Sequence, residues 1–559
     1  MPGFHSDVLV PAERISSPSS APPVFLSLYM PENHLPKTRQ SRCWTVLTLV
    51  LLLALLPGSA WTQSTPSQPA SATQTLSSAS PSTPRSQNPP DVTEVPGAGV
   101  SVQNQQQGTA PPQESQQPQP ETRITKAQAK ELFRSVDVIL RFASKDTGLP
   151  IESEVKRHLI TRESMQKYVD KRMRDDKDTQ RLEQSRLVLE KFGLLPPGYD
   201  LHGEFLRLLA EQVAAYYDPK TKSVNLLDWV PPDTQKPVLA HELTHALQDQ
   251  RIGLDKWERA GAKDDRPLPD PQEYVVEEAQ AARECVAEGQ AMVVLLDYTL
   301  APLGKDVVSA PEIFDAMRAG MSDNKDSPVF AAAPMFLRES LMMPYTWGTD
   351  FVRTVLTNKG KDAAYGGLLE NPPVDTRQIM QPETYLMNQA VAPLSIPDLD
   401  KLVAPAYDRF DFGGMGEFDI YLLAKQYGGD DAPKAHYPHW RGGYYFAAHA
   451  KDAPKDQIAM LYFSRWDSSE SAVAFAKLYG DYVPKRYKNV KWQTTCAAVQ
   501  TAQGCQKSEA TTEQGQVVLE SQGNDLLILE GFDKRLSERA RDVLLGGMSL
   551  PTPVIKSSK

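Results

Sequence analysis

PVLAHELTHALQDQ, residues 237–250, places His241 and His245 four residues apart, with Glu242 directly after the first histidine. On an α-helix this spacing puts both imidazoles on one face, one turn apart. They can then ligate a single metal ion while the neighbouring carboxylate reaches a water on it, the H-E-x-x-H pattern. The flanks favour a helix. Pro231-Pro232-Asp233-Thr234 supplies a turn and then an N-cap candidate, Val238, Leu239, Leu243, Ala246 and Leu247 supply apolar positions, and Gly253 supplies a stop. An isolated buried histidine is more simply a satisfied core residue, but two at this spacing with a glutamate between them form a metal-site pattern.

A zinc site of this kind needs a third protein ligand and an open fourth position. Residues 271–300, PQEYVVEEAQAARECVAEGQAMVVLLDYTL, have helical periodicity, and Glu277, Ala281, Glu284, Glu288 and Leu295 step along one stripe. Carboxylates on such a stripe either form a solvated acidic face or turn inward toward a cation, since they rarely go inside unpaired. Glu288 is the candidate ligand and Glu284 the alternative. Gly289 costs a helix about 1 kcal/mol relative to Ala, which is understandable if two helix backbones approach closely beside the ligand.

HELTHALQD resembles the active-site helix of the gluzincin metallopeptidases, whose two motif histidines and a glutamate from a later helix bind one zinc ion. AEGQA is similar to the E-G-x-A third-ligand segment of a group of secreted bacterial proteins. Segments similar to AAYYDPKT (214–221) and MPYTWGTDFV (343–352) flank the zinc helix in that group. The resemblance covers roughly residues 124–550, most specifically at the zinc helix. It implies a mostly helical, zincin-like domain, one Zn²⁺ per chain on His241, His245 and Glu288, and peptide hydrolysis with Glu242 as general base. Tyr345, His436, His439 and His449 are candidates to stabilise the oxyanion. The chain departs from the thermolysin-like pattern at one place: Met292 stands where those enzymes carry an Asp, four residues after the third ligand. The group that orients the histidines is therefore open between Asp249 and Glu284.

Upstream, QVAAYYDPKTKSVNLLD reads as a β-hairpin around an Asp-Pro-Lys-Thr-Lys turn. In gluzincins such an edge strand lies above the site. Pairing of Ser223–Leu227 with an extended peptide would make the substrate a polypeptide.

Lys37, Arg39 and Arg42 precede an apolar run over residues 44–56, followed by Pro57-Gly58-Ser59-Ala60. This reads as a secretory signal within residues 1–60, with translation expected to start at Met30. The run of about 13 residues is short of the roughly 20 that a membrane span needs. No stable membrane insertion is expected after cleavage, and an uncleaved anchor is the alternative. The protein is expected to be secreted or periplasmic. Residues 61–123, rich in Ser, Thr, Pro and Gln, cannot bury enough apolar surface to offset ordering entropy and read as a disordered linker. A net charge of −10 gives no basic patch, which excludes nucleic acid as a partner.

Pro-rich loops over residues 371–405 mark a possible boundary, so the metallopeptidase-like domain is expected over 124–400 and a second module over 401–550, with a tail at 551–559. Residues 124–212 read as helical. In the second module GEFDIYLLAKQYG and SSESAVAFAKLYGDYV read as helices, RGGYYFAAHA and IAMLYFSRWD as strands, and VVLESQGNDLLILEG as a hairpin. That order predicts a small antiparallel sheet with helices on one face, and the chain as a whole is α+β. Cys496 and Cys505 are close enough in sequence for a disulfide in an oxidising compartment, Cys43 would leave with the signal, and Cys285 reads as a buried small apolar residue. The sequence carries no signal for an oligomeric state. It supports two functional readings: a secreted zinc endopeptidase, or a catalytically inactive exported relative used for binding or as an envelope component.

Overall fold

The computed structural model describes residues 28–29, 123–165, 167, 176–212, 215–261, 274–321, 327–494 and 507–546. Apart from Leu28–Tyr29 and Arg123, the expected signal, the linker, the Cys496–Cys505 pairing and the tail lie outside these residues. The described part is α+β, with two sheets.

Helix α1 (Lys126–Thr147) starts at a capping box in which Thr125 and Gln128 satisfy each other's backbone N–H groups, and it stops at Gly148 in the left-handed region, φ 77°. Its buried residues Leu132, Val136, Ile139, Leu140 and Ala143 recur at helical spacing and face the core. Strand β2 (Lys156–Ile160) follows, then α2 (Asp176–Phe192) and α3 (Leu201–Gln212). The strand corrects the all-helical reading of 124–212. KRHLI has neither apolar alternation nor a buried face, and it is extended because it pairs in parallel with a later strand, an interaction that is invisible locally.

The expected hairpin forms from β3 (Ala215–Asp218) and β4 (Ser223–Leu227), which pair antiparallel. The Asp218 side chain accepts from Lys220 N and Thr221 Oγ1 across the turn, where Lys222 has φ 54°. With β1 (Leu28–Tyr29) parallel to β3, the first sheet has the order β1-β3-β4-β2. This overturns the expectation that Ser223–Leu227 pairs with a peptide. β4 is fully buried between β2 and β3.

Helix α4 (Pro232–Ile252) carries the histidines. It begins before the expected side-chain cap. Pro231 is the N-cap and makes no side-chain cap bond, and Pro232, lacking an N–H to satisfy, suits the first helical position. Gly253 ends it in the left-handed region, φ 65°, as expected. α6 (Tyr274–Leu300) packs on α4, with the short helix α5 (Leu254–Glu258) between them in sequence, and α7 (Met335–Lys359) packs on α6. At the α6–α7 crossing a Cβ on Gly289 would lie 2.3 Å from Gly348 O, and one on Gly348 would lie 2.3 Å from Cys285 O. The close backbone approach expected at Gly289 is therefore made by α7, not by the histidine helix.

The second sheet has seven antiparallel strands, β5 (Tyr407–Gly414), β6 (Trp440–Ala450), β7 (Ala459–Trp466), β8 (Lys491–Thr494), β9 (Lys507–Thr512), β10 (Gly515–Gln522) and β11 (Asp525–Glu530), in the order β5-β6-β7-β11-β10-β9-β8. It is larger than expected and is covered on both faces. Tyr445, Met460, Tyr462, Leu526 and Ile528 pack in the main core with Phe475 and Tyr479 of α9 (Ser469–Arg486). Their neighbours Tyr444, Phe446, Leu461, Leu527 and Leu529 form a second core with Leu536 and Ala540 of α10 (Lys534–Leu544). Runs such as YYFAA and LLIL, apolar at successive positions, are what a strand buried on both faces requires. The main core continues into the helical half. Phe192 of α2 sits edge-on to Tyr445 and Tyr462, and Trp347 of α7 to Tyr421 of α8 (Glu417–Gly428) and Tyr437.

Candidate metal centre

The spacing on α4 and the packing of α6 against it bring three ligand atoms together. His241 Nε2 lies 3.0 Å from Glu288 Oε2 and 3.0 Å from His245 Nε2, and His245 Nε2 lies 3.4 Å from Glu288 Oε2. All three residues are buried. Among the described residues this is the group of His, Cys, Asp and Glu side chains placed to hold a metal ion. The separations fit one ion, since ligands about 2.05 Å from a tetrahedral centre are about 3.3 Å apart. The chemistry fits as well. Two imidazole nitrogens and a carboxylate oxygen turned toward one point, away from water, leave their lone pairs to a cation.

The electrostatics carry the same mark. Burial holds His241 down to about 4. His245 is raised, because Glu288 outweighs the burial that opposes its charge. Burial likewise opposes the charge of Glu288, but the two histidines prevail and hold its carboxyl at about 2. Glu284, one turn before Glu288 and half-buried, is not part of the group. Burial and the Glu288 charge push its carboxyl well above the usual range.

Glu242 is buried beside the histidines, and its Oε2 accepts the backbone N–H of Tyr217 at 2.8 Å. Strand β3 thus lies directly against the motif carboxylate. Tyr345, on α7, is buried with its ring stacked on His241 at a 6.2 Å centroid distance and its hydroxyl on Glu288. Burial, followed by the charges of Glu288, Glu284 and Glu242, pushes its phenol well up. The other candidates are engaged elsewhere. His436 packs on Phe475, His439 pairs with Asp467, and His449 bonds Gln457 O and packs on Phe410.

Asp249, one of the two residues considered for orienting the histidines, is engaged elsewhere. Asp249 accepts from Tyr217 Oη, Lys222 Nζ and Leu254 N, and so ties α4 to the hairpin instead. The partner of His245 Nδ1 is Gln248 Oε1, at 2.8 Å. Gln248 is legible as a residue one turn after His245 on the same helix face, but an amide there is a less familiar partner than a carboxylate. Among the described residues His241 Nδ1, which is buried, has no hydrogen-bond partner. Cys285 is a buried free thiol, as expected.

No family model, curated protein or solved structure matches this chain. What the site establishes is chemical: a buried His241, His245 and Glu288 group that could hold a metal ion.

Proposed function

We propose that the protein is an exported, zinc-dependent peptidase of the gluzincin type, with a zincin-like arrangement of α4, α6 and the β3–β4 hairpin. The observation that carries this reading is the His241, His245 and Glu288 group with the carboxylate of Glu242 set beside it. Bound there, Zn²⁺ would supply Lewis-acid activation of water and of a peptide carbonyl. His241, His245 and Glu288 would hold it. Glu242, oriented by Tyr217 N–H, takes a proton as general base and returns it to the leaving amine. Tyr345, whose raised phenol keeps its proton, donates to the oxyanion that develops on the carbonyl. A polypeptide substrate would add to the outer edge of β3, the strand that touches Glu242, once residues 1–60 have left with the signal. No described helix is long and apolar enough to cross a membrane.

Elemental analysis together with Glu242→Gln tests the proposal. The expected result is about one zinc per chain in both proteins, with peptide cleavage only in the wild type. A wild-type protein without zinc, or a Glu242→Gln variant that cleaves as well as wild type, would overturn it and leave the binding or envelope role.

A further inference from the structure

Resting on the metal-binding part of the preceding proposal, we infer that Gln248 is a positioning residue for His245, braced by Gln290 against the π-helical turn Ala363–Gly367. The hydrogen bonds form one chain. Gln290 Nε2 reaches Ala364 O at 2.7 Å and Tyr365 O at 3.1 Å, Gln248 Nε2 reaches Gln290 Oε1 at 2.9 Å and Ala287 O at 3.0 Å, and Gln248 Oε1 meets His245 Nδ1 at 2.8 Å. Gln248, Gln290 and His245 are all fully buried.

The direction of this chain is forced from its far end. Backbone carbonyls only accept, so Gln290 must turn its NH₂ toward residues 364 and 365 and its oxygen toward Gln248. Gln248 then faces two acceptors, Gln290 Oε1 and Ala287 O, and can satisfy them only with its own NH₂. Its oxygen is left for His245, whose Nδ1 must therefore carry a hydrogen. Nε2 remains as the ligating atom, and it points at His241 and Glu288. Both glutamines lie within the stretches that carry the ligands, Gln248 three residues after His245 and Gln290 two after Glu288. Each segment thus supplies a ligand together with part of its support. The support is neutral throughout, so it orients the imidazole without adding a negative charge beside the metal.

Gln248→Met, Gln290→Met and the double variant, in the full chain, test this by chelator competition for zinc and by melting of the metal-free protein. Gln235→Met serves as the control, because Gln235 is an equally buried amide on the same helix that donates to Leu227 O and Val230 O. Zinc affinity is expected to fall about tenfold to a hundredfold for Gln248→Met. The fall should be smaller for Gln290→Met, and no greater for the pair than for Gln248→Met alone, because the two residues act in one chain. Gln235→Met should lower the melting temperature and leave affinity unchanged. Wild-type affinity in Gln248→Met, or additive losses that Gln235→Met reproduces, would overturn the inference while leaving the metal site intact. A wild-type protein that takes up no zinc would overturn both.

Discussion

The backbone N–H of Tyr217 donates to Oε2 of Glu242 across 2.8 Å. The same residue anchors its strand through its side chain, since the phenol donates to Asp249 at 2.7 Å. Tyr217→Phe keeps the first bond and deletes the second. Both partners are buried, so a loss of roughly 1.5–3 kcal/mol is expected in denaturant unfolding, toward the lower end because Lys222 still reaches Asp249. Under the proposed function, zinc content should not change.

Tyr345→Phe separates packing from chemistry. The ring that stacks on His241 is retained and only the hydroxyl is lost. Under the proposed function, kcat should fall by about a hundredfold to a thousandfold, with KM and zinc content near wild type. Steady-state kinetics on a peptide substrate would check this, and an unchanged kcat would remove Tyr345 from the reaction.

Gly289→Ala pits helix propensity against packing. Propensity alone favours Ala by about 1 kcal/mol. Here the added methyl would meet Gly348 O at 2.3 Å, and that atom belongs to the backbone of another helix, which cannot rotate away. Packing should win, with net destabilisation of about 1–3 kcal/mol seen as a lower melting temperature. Gly348→Ala should behave in the same way against Cys285 O.

Glu278 gives a pH dependence away from His241, His245 and Glu288. Its carboxyl accepts from Thr376 N and Oγ1, yet burial outweighs these bonds and raises it to about 7. The native state therefore holds a proton that the unfolded chain gives up near its ordinary value. The contribution of Glu278 to stability is complete below that ordinary value and is lost as pH rises toward and through 7. Glu278→Gln should melt closer to wild type at pH 5 than at pH 8, and at pH 8 it should be the more stable of the two. A constant difference in melting temperature across that range would contradict the assignment.

The parts legible in the sequence are those whose signal is local. The i, i+4 histidines, the helical stripe that carries Glu288, the stop at Gly253 and the turn after Asp218 each depend on residues within one or two turns. What escapes a local reading depends on partners remote in the chain. β2 is extended only because β4 lies beside it, and β4 is a buried central strand only because β2 does. The second sheet reads as smaller because β5, β8 and β9 give no strand signal of their own; β5, with its charged YDRFDFGG, is extended because β6 pairs with it. Gln248 escapes for a different reason. Its role depends on the carbonyls at 364 and 365, which no local pattern connects to a histidine.

Phe192 wedged against Tyr445 and Tyr462 has a consequence for how the molecule comes into being. Synthesis delivers the chain from its N-terminal end. α2, α4 and α6 therefore emerge before the strands against which their shared core closes. Contacts of such sequence separation form late and slowly. Until β6 and β7 arrive, Phe192 of α2 and Tyr274 of α6 lack the tyrosines they pack on, an unfinished apolar flank that should make nascent chains chaperone clients and prey for proteolysis.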